Sequence, residues 1–197
     1  FTLINYFLIV IFVLIFHALF SYSFLLITLA KVNPLFFFTN MREAILFAFS
    51  TSSSSATMPV TLKTVEEKLG VNKSVSSFCI PLGTTINMDG TAIMQGVATV
   101  FIAQVYQVDL SMMEYLMVII TATLASIGTA GVPGVGLIML AMVLQQVGLP
   151  VEGIALIIGV DRLLDMLRTA VNVSGDATIS CIVANSENQL SRKDFIS

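Results

Sequence analysis

Five long apolar blocks make up most of this sequence, and their lengths restrict what the chain can fold into more than any other feature. They cover roughly residues 2–30, 44–65, 75–107, 112–148 and 153–184, with short polar joints between them. A helix needs about 20 residues to cross about 30 Å of hydrocarbon. Because 56% of the residues are hydrophobic and 11% are charged, the blocks indicate an all-α membrane protein rather than a soluble domain.

Only the first block, which we assign to residues 2–30, has the length of a simple transmembrane helix. The fourth block is too long for one span, and its centre, SIGTAGVPG at residues 126–134, would interrupt any helix. The second block is interrupted in the same way by SSSSATMP at residues 52–59. We therefore expect two re-entrant helical hairpins, over residues 44–68 and 112–148.

The third block, 75–107, has a polar interruption at residues 87–91, NMDGT, where we expect an unwound helix. A similar segment, NVSGD at residues 172–176, follows the second hairpin, and there too we expect a helix break. Two hairpins that each precede a polar break, and that enter from opposite faces, form the pattern of an inverted-topology repeat. In such transporters the interrupted helices meet near the membrane midplane.

The charges of the loops favour this layout, because cytoplasmic loops near membrane spans collect Lys and Arg. With both hairpins re-entrant, one face carries Lys31, Arg42, Lys63, Lys68, Lys73, Arg192 and Lys193. The opposite joints carry Asp109, Glu114 and Glu152. We predict a multi-pass protein of the inner cell membrane with a cytoplasmic tail at residues 185–197. The longest basic run is a dipeptide, so no nucleic-acid partner is expected.

The last block, 153–184, carries a stripe of polar side chains. Its members are spaced by 4, 3, 4 and 4 residues: Asp161, Asp165, Arg168, Asn172 and Asp176. At this spacing they share one face of a helix, within an arc of about 80°. Each charge at membrane depth costs about 2.5–3.5 kcal/mol, so the stripe is expected to face a cavity, a partner or a substrate. The alternative is a structural network in which Asp161 and Asp165 pair with Arg168.

Together these motifs resemble the dicarboxylate/amino acid:cation symporters, a family that includes the excitatory glutamate transporters and prokaryotic aspartate or glutamate carriers. The resemblance implies a partial transport domain: the sixth transmembrane helix, hairpin one, helix seven, hairpin two and helix eight. It also implies that scaffold helices, expected to precede this fragment, assemble a homotrimer. The implied function is uptake of L-aspartate or L-glutamate coupled to sodium by an elevator-type mechanism with a hairpin gate.

The resemblance also implies the roles of individual residues. Arg168 would hold the side-chain carboxylate of the substrate and Asp165 its α-ammonium group. Further substrate contacts would come from Thr91, Asn172, Ser54, Thr169 and the main chain of Val132.

Three sodium sites are implied in the same way. The first combines Asp176 with the carbonyls of Gly83, Asn87 and Asn172. The second uses the carbonyls of Thr85, Ser126, Ile127 and Thr129. Asp89 and Asn87 would form part of a third, whose other ligands would lie on a helix outside this fragment.

Three positions depart from the family pattern. Gln95 stands where the animal members carry a glutamate associated with proton coupling and potassium counter-transport, which favours the prokaryotic branch. Ser52 and Met166 stand where archaeal and animal members, respectively, place an arginine. The electrostatics around Arg168 are therefore expected to differ from those of the relatives.

Other functions remain as alternatives. One is a proton-coupled glutamate or C4-dicarboxylate symporter, and another is a ligand-gated ion channel, because carbonyl-lined helix breaks also build ion filters. An intramembrane enzyme is not expected. The sole histidine, His17, is distant in sequence from the serine-rich segment, so no catalytic base accompanies a serine nucleophile. We interpret His17 as a packed or interfacial histidine without a functional role.

Overall fold

The computed structural model describes residues 3–191, and in this range the chain is helical, with a single isolated bridge between Val71 and Leu190. Residues 192–197 of the predicted tail, including Arg192 and Lys193, lie outside the described residues. The helices are α1 (Leu3–Ala30), α2 (Pro34–Thr51), α3 (Ser54–Glu67), α4 (Lys73–Ile86), α5 (Asp89–Val105), α6 (Met112–Ile127), α7 (Val135–Gln146) and α8 (Ile158–Ser186). A 3-10 turn at Val151–Leu156 precedes α8.

Helix α1 is the one helix in the described part of the chain that is long and apolar enough to cross a membrane. Its hydrogen bonding widens to the π-helical pattern over His17–Tyr22 and again over Leu26–Ala30. Large apolar side chains such as Leu8, Phe12 and Phe20 are exposed along it. Such a surface suits contact with lipid or with further helices.

Helices α2 and α3 form the first helix pair, and serines set its tip. Asn33 caps the start of α2 by accepting a hydrogen bond from the Leu35 amide at 2.8 Å, and Pro34 follows as its first residue. The helix ends at Ser52, which adopts the left-handed conformation with φ 51°. Ser53 then caps α3 by accepting from the Ala56 amide. The pair thus begins at residue 34, ten positions before the predicted start of hairpin one at residue 44.

Helices α4 and α5 lie on either side of a short break. The chain leaves the helical conformation at Asn87 and Met88, inside the segment where the break is expected, and α5 begins at Asp89. The amide of Asn87 still bonds to the carbonyl of Gly83, at 2.7 Å. The break therefore frees carbonyl and side-chain groups within a few residues of each other.

Helices α6 and α7 form the second pair. Ser111 and Glu114 form a reciprocal capping box at the start of α6, which fixes where the helix begins. The helix ends at Ile127, and a non-helical tip runs from Gly128 to Gly134. Gly134 has φ 80°, a conformation that favours glycine, and α7 starts directly after it.

Helix α8 lies at the centre of the fold and packs against α1, α2, α3, α4 and α5. It runs without interruption from Ile158 to Ser186, so the predicted helix break at Asn172–Asp176 is wrong. Ser174 and Ser180 donate their hydroxyl protons to carbonyls four residues earlier, those of Ala170 and Asp176. These serine hydroxyls are thus satisfied inside the helix, and the backbone ladder stays intact.

The ends of several helices meet at one end of the molecule, close to a group of basic residues. Asn185 of α8 donates to the Leu29 carbonyl of α1 at 2.8 Å, and the Ser191 amide donates to the Gly70 carbonyl at 2.8 Å. Lys68 forms an ion pair with Glu43 at 2.7 Å. The assignment of this end to the cytoplasmic side stays a prediction.

Candidate functional site

The charged part of the α8 stripe forms a compact buried cluster. Arg168 is 1% exposed. Its Nη1 donates to Asp161 Oδ1 at 2.9 Å, and its Nη2 donates to Asp165 Oδ1 at 2.8 Å. The second oxygen of Asp165 accepts from the Gly134 amide at 3.0 Å, so the cluster also reaches the tip of the second helix pair.

The network that the sequence left as an alternative is therefore present: both aspartates pair with Arg168. It does not use the whole guanidinium, because Arg168 Nε has no hydrogen-bond partner among the described residues. A Cβ built on Gly136 would lie 3.7 Å from Arg168 Nη2. The guanidinium therefore lies close to the first turn of α7, at a glycine that has no side chain. A planar fork with five donors can exchange one carboxylate partner for another.

A small cavity lies next to this cluster, where the two helix-pair tips meet α5 and α8. It measures about 10 Å³, room for about one water molecule. A ligand as large as an amino acid therefore requires the tips to separate. Its walls are formed by Ser52, Ser54, Met88, Thr91, Thr129, Ala130, Gly131, Val132, Gly136, Asp165, Thr169 and Asn172.

The structure places the predicted substrate residues around this cavity. Six of them line it: Ser54, Thr91, Val132, Asp165, Thr169 and Asn172. Arg168 lies behind Asp165, to which it is bonded. Ser52, Met88, Gly131 and Gly136 line the cavity as well and were not among the predicted substrate-binding residues. The buried Ser52 hydroxyl, unpartnered among the described residues, adds a free polar group to the wall.

Gly131 is the point where the two tips touch. Its carbonyl accepts from the Ser53 hydroxyl at 2.7 Å and from the Ser55 amide at 3.1 Å. A Cβ at this position would lie 2.9 Å from Ser55 Oγ and 3.1 Å from the carbonyl oxygen of Thr84. The second of these atoms belongs to the backbone and cannot easily move aside.

We expect Gly131→Ala to hold the tips apart and to raise the KM for substrate about tenfold, since such overpacking typically costs about 1–3 kcal/mol. Gly159→Ala is the matched control, because a Cβ at that glycine meets nothing within 4 Å. Uptake kinetics of the two variants in the full-length parent protein would check this. An unchanged KM for Gly131→Ala would show that the close contact of the tips has no part in substrate binding.

The residues predicted for the first sodium site lie together. Asp176 is 2% exposed, and its Oδ1 accepts from Asn87 Nδ2 at 2.8 Å. The same amide nitrogen also donates to the carbonyl of Asn172, at 3.2 Å. A Cβ on Gly83 would lie 2.5 Å from Asp176 Oδ1, so the glycine leaves the space that the carboxylate occupies. A carboxylate with a backbone carbonyl oxygen close by provides oxygen atoms of the kind that suit a hard cation.

The second set of predicted carbonyls spans two helices that contact each other, α4 and α6. The Ser126 carbonyl accepts from the Thr129 amide at 3.1 Å, and the Thr85 hydroxyl donates to the Leu82 carbonyl at 2.7 Å. These are local contacts within each helix end. The joint coordination of a cation by Thr85, Ser126, Ile127 and Thr129 stays a prediction.

The carboxylate of Asp89 has partners that the sequence analysis missed. His17 Nε2 lies 2.9 Å from Asp89 Oδ2, and the Tyr22 hydroxyl hydrogen-bonds to the same oxygen. The other oxygen accepts from the Gly90 amide at 3.0 Å. His17 is thus more than a packed histidine. The sequence feature that could have indicated this contact is the position of the His17 imidazole in the middle of an apolar span, where a polar group needs a partner.

Comparison with known proteins identifies the family. The model of the sodium:dicarboxylate symporter family matches residues 1–186. The chain is 48% identical over 167 residues to an excitatory amino acid transporter of Caenorhabditis elegans, covering 85% of this chain and 33% of that protein. It is 49% identical over 179 residues to excitatory amino acid transporter 3 of Mus musculus, covering 91% of this chain and 34% of that protein.

A human relative gives the same result. Over 182 residues the chain is 45% identical to excitatory amino acid transporter 5 of Homo sapiens, covering 92% of this chain and 32% of that protein. The chain thus spans about a third of the length of the curated relatives it matches. Because the family model matches nearly the whole length of this chain, the chain belongs to the sodium:dicarboxylate symporter family.

Proposed function

We propose that this chain is the substrate-binding part of a secondary active symporter that couples uptake of an acidic amino acid to sodium. The observation that carries the proposal is the buried Arg168, held between two carboxylates beside a cavity that both helix-pair tips enclose. A buried guanidinium suits recognition of a carboxylate. The names of the relatives, excitatory amino acid transporters, point to the same substrate class.

Asp165 supports an amino acid over a plain dicarboxylate. It lines the cavity, and its Oδ1 accepts a hydrogen bond from Arg168 Nη2 at 2.8 Å. A carboxylate in this place offers a partner to an α-ammonium group and repels a second carboxylate. L-Aspartate and L-glutamate provide both groups that the site requires, one anionic for Arg168 and one cationic for Asp165.

Sodium would bind at Asp176 and at the helix break, where oxygen atoms are available. In this proposal the tip between α6 and α7 acts as the gate. It closes over the substrate and completes the second sodium site, which the carbonyls of Thr85, Ser126, Ile127 and Thr129 would form. The close contact at Gly131 and the small cavity support a closed gate. Coupling follows when closure requires both sodium and substrate.

The helix pairs α2–α3 and α6–α7 would be re-entrant hairpins related by an inverted repeat, and they would move with α8 as an elevator-type transport domain. We further propose that scaffold helices beyond this segment assemble a homotrimer in the inner cell membrane, with the C-terminus in the cytoplasm. The grouping of Lys31, Lys68 and Lys73 near one end of the helices supports this orientation.

Gln95 bears on the driving ion. It is fully buried, and its Nε2 donates to the Gly136 carbonyl at 3.2 Å beside the cavity. An amide cannot release a proton, so we propose a carrier that lacks the proton coupling and potassium counter-transport of the animal members and resembles the prokaryotic branch. The alternative is a proton-coupled glutamate or C4-dicarboxylate symporter.

The test is uptake of radiolabelled L-aspartate into liposomes that contain the full-length parent protein. Accumulation is expected with an inward sodium gradient and absent when choline replaces sodium, with L-glutamate a better competitor than succinate. Accumulation driven by a proton gradient alone, or strong competition by succinate, would support the alternative. Ion current gated by aspartate without its accumulation would identify a channel and overturn the proposal.

A further inference from the structure

We infer that Tyr22 of α1 is a positioning residue for a cation bound at Asp89, and that it makes α1 part of the sodium-coupling machinery. This inference rests on the proposed sodium coupling. Tyr22 is 3% exposed, although most of α1 presents its side chains outward. Its hydroxyl hydrogen-bonds to Asp89 Oδ2 of α5 and lies 3.1 Å from the Val171 carbonyl of α8.

A single hydroxyl group therefore joins three helices. Asp89 directly follows the break between α4 and α5, so its backbone has fewer helical constraints than a residue in mid-helix. With the Tyr22 and His17 contacts on Oδ2 and the Gly90 amide on Oδ1, the carboxylate is held in one orientation. The remaining lone pairs of both carboxylate oxygens therefore have fixed directions, along which they can coordinate a cation.

The Tyr22 hydroxyl is also close to the site at Asp176. A Cβ built on Gly175 would lie 2.7 Å from Tyr22 Oη and 2.6 Å from Asn87 Nδ2. The hydroxyl and the amide thus flank the same glycine, and the amide bonds to Asp176 Oδ1 at 2.8 Å. Tyr22 and Asn87 thus both lie beside Gly175, between Asp89 and Asp176, the two candidate cation sites.

The aromatic ring of Tyr22 is fixed as firmly as its hydroxyl. It contacts the His17 ring edge-on, with the ring centroids 4.8 Å apart and the planes at 69°. Both side chains lie in the π-helical turn of α1, a type of widening that is frequent at functional sites. The phenol therefore has little freedom to leave Asp89, and removal of its oxygen would take away one of the three contacts that orient the carboxylate without changing the packing.

The test compares Tyr22→Phe with Tyr6→Phe in the full-length parent protein. Both tyrosines are buried on α1, but the Tyr6 hydroxyl has no hydrogen-bond partner among the described residues, so the second variant is a matched control. For Tyr22→Phe we expect the sodium concentration that gives half-maximal aspartate uptake to rise about tenfold, the equivalent of one hydrogen bond to a charged group. The maximal rate at saturating sodium should stay unchanged, as should both values for Tyr6→Phe.

A second measurement does not depend on transport. Sodium should raise the melting temperature of the purified protein, and for Tyr22→Phe this rise should require about tenfold more sodium. Sodium dependence of Tyr22→Phe that matches Tyr6→Phe in both measurements would overturn the inference, and so would a lower maximal rate without a shift in sodium dependence. A parent protein whose uptake ignores sodium would instead contradict the proposed function.

Discussion

Replacing Arg168 with alanine is expected to abolish sodium-driven aspartate uptake by the full-length parent protein. The loss of a buried charged partner for a carboxylate costs about 2–5 kcal/mol of binding free energy, a fall in affinity of about thirtyfold to several thousandfold. The substitution also leaves Asp161 and Asp165 buried without their cation, which repels the acidic substrate further. Uptake of radiolabelled L-aspartate over a wide concentration range measures the effect.

Two further variants separate recognition from folding. Arg168→Lys keeps the positive charge but loses the planar fork, so uptake should fall strongly while the protein remains folded. Arg162→Lys is the matched control, because Arg162 lies exposed on the same helix. Sodium should still raise the melting temperature of Arg168→Lys, since Asp176 lies about 12 Å further along α8. Aspartate uptake by Arg168→Lys equal to that of Arg162→Lys would contradict the carboxylate role of Arg168.

Asp176→Asn is expected to raise the sodium requirement for aspartate uptake by more than about tenfold, to the point where uptake is absent at physiological sodium. The carboxylate is 2% exposed, and the one side-chain hydrogen bond described for it comes from a neutral amide, that of Asn87. A buried anion in this position is stabilised by a bound cation, and a neutral asparagine of the same shape gives no such attraction. The measurement is the sodium dependence of uptake at saturating aspartate.

Asp109→Asn provides the control for the loss of one negative charge, because Asp109 is exposed in the joint before α6. Its sodium dependence should match that of the unmodified protein. If Asp176→Asn also retained the unmodified sodium dependence, Asp176 would not be a sodium ligand. In that case Asp89, the other acidic side chain at the helix break, would become the principal candidate.

The sequence is enough to predict the charged part of the site, because the residues that form it lie close together on a single helix. Asp161, Asp165 and Arg168 share one face of a helix at any orientation of that helix, and the structure bonds them to one another. The serine-rich and glycine-rich tips are likewise local, since Ser52 and Gly134 adopt left-handed conformations that end or begin a helix.

The course of α8 could not be predicted in this way. Asn172, Ser174 and Gly175 all disfavour a helix interior when they are judged by local preference. The structure overrides that preference through contacts with distant parts of the chain: the Asn172 side chain accepts from the Gly90 amide at 2.8 Å, and Gly175 faces Tyr22 and Asn87. A polar segment that breaks one helix is therefore compatible with an intact helix elsewhere, once neighbouring helices satisfy its polar groups.

The contact between His17 and Asp89 was hidden for a related reason. The two residues are 72 positions apart, and nothing in the local pattern of either one identifies the other. An imidazole within an apolar span indicates that a polar partner exists, but the partner is determined by how α1 packs against α5. Only the three-dimensional arrangement supplies that information.

The π-helical turns of α1 have a consequence for the periodicity of its buried face. The buried residues of this helix, together with the half-buried Ala18, follow intervals of four: Tyr6, Val10, Leu14, Ala18, Tyr22, Leu26 and Ala30. In a regular α-helix each interval of four rotates the contact line by about 40°, so a neighbour could not follow it along a straight path. The widened turns at His17–Tyr22 and Leu26–Ala30 counter that rotation and straighten the contact line. Helix widening thus allows the four-residue repeat of contacts to continue through the second half of α1, and the widened turn at His17–Tyr22 carries the two side chains that reach Asp89.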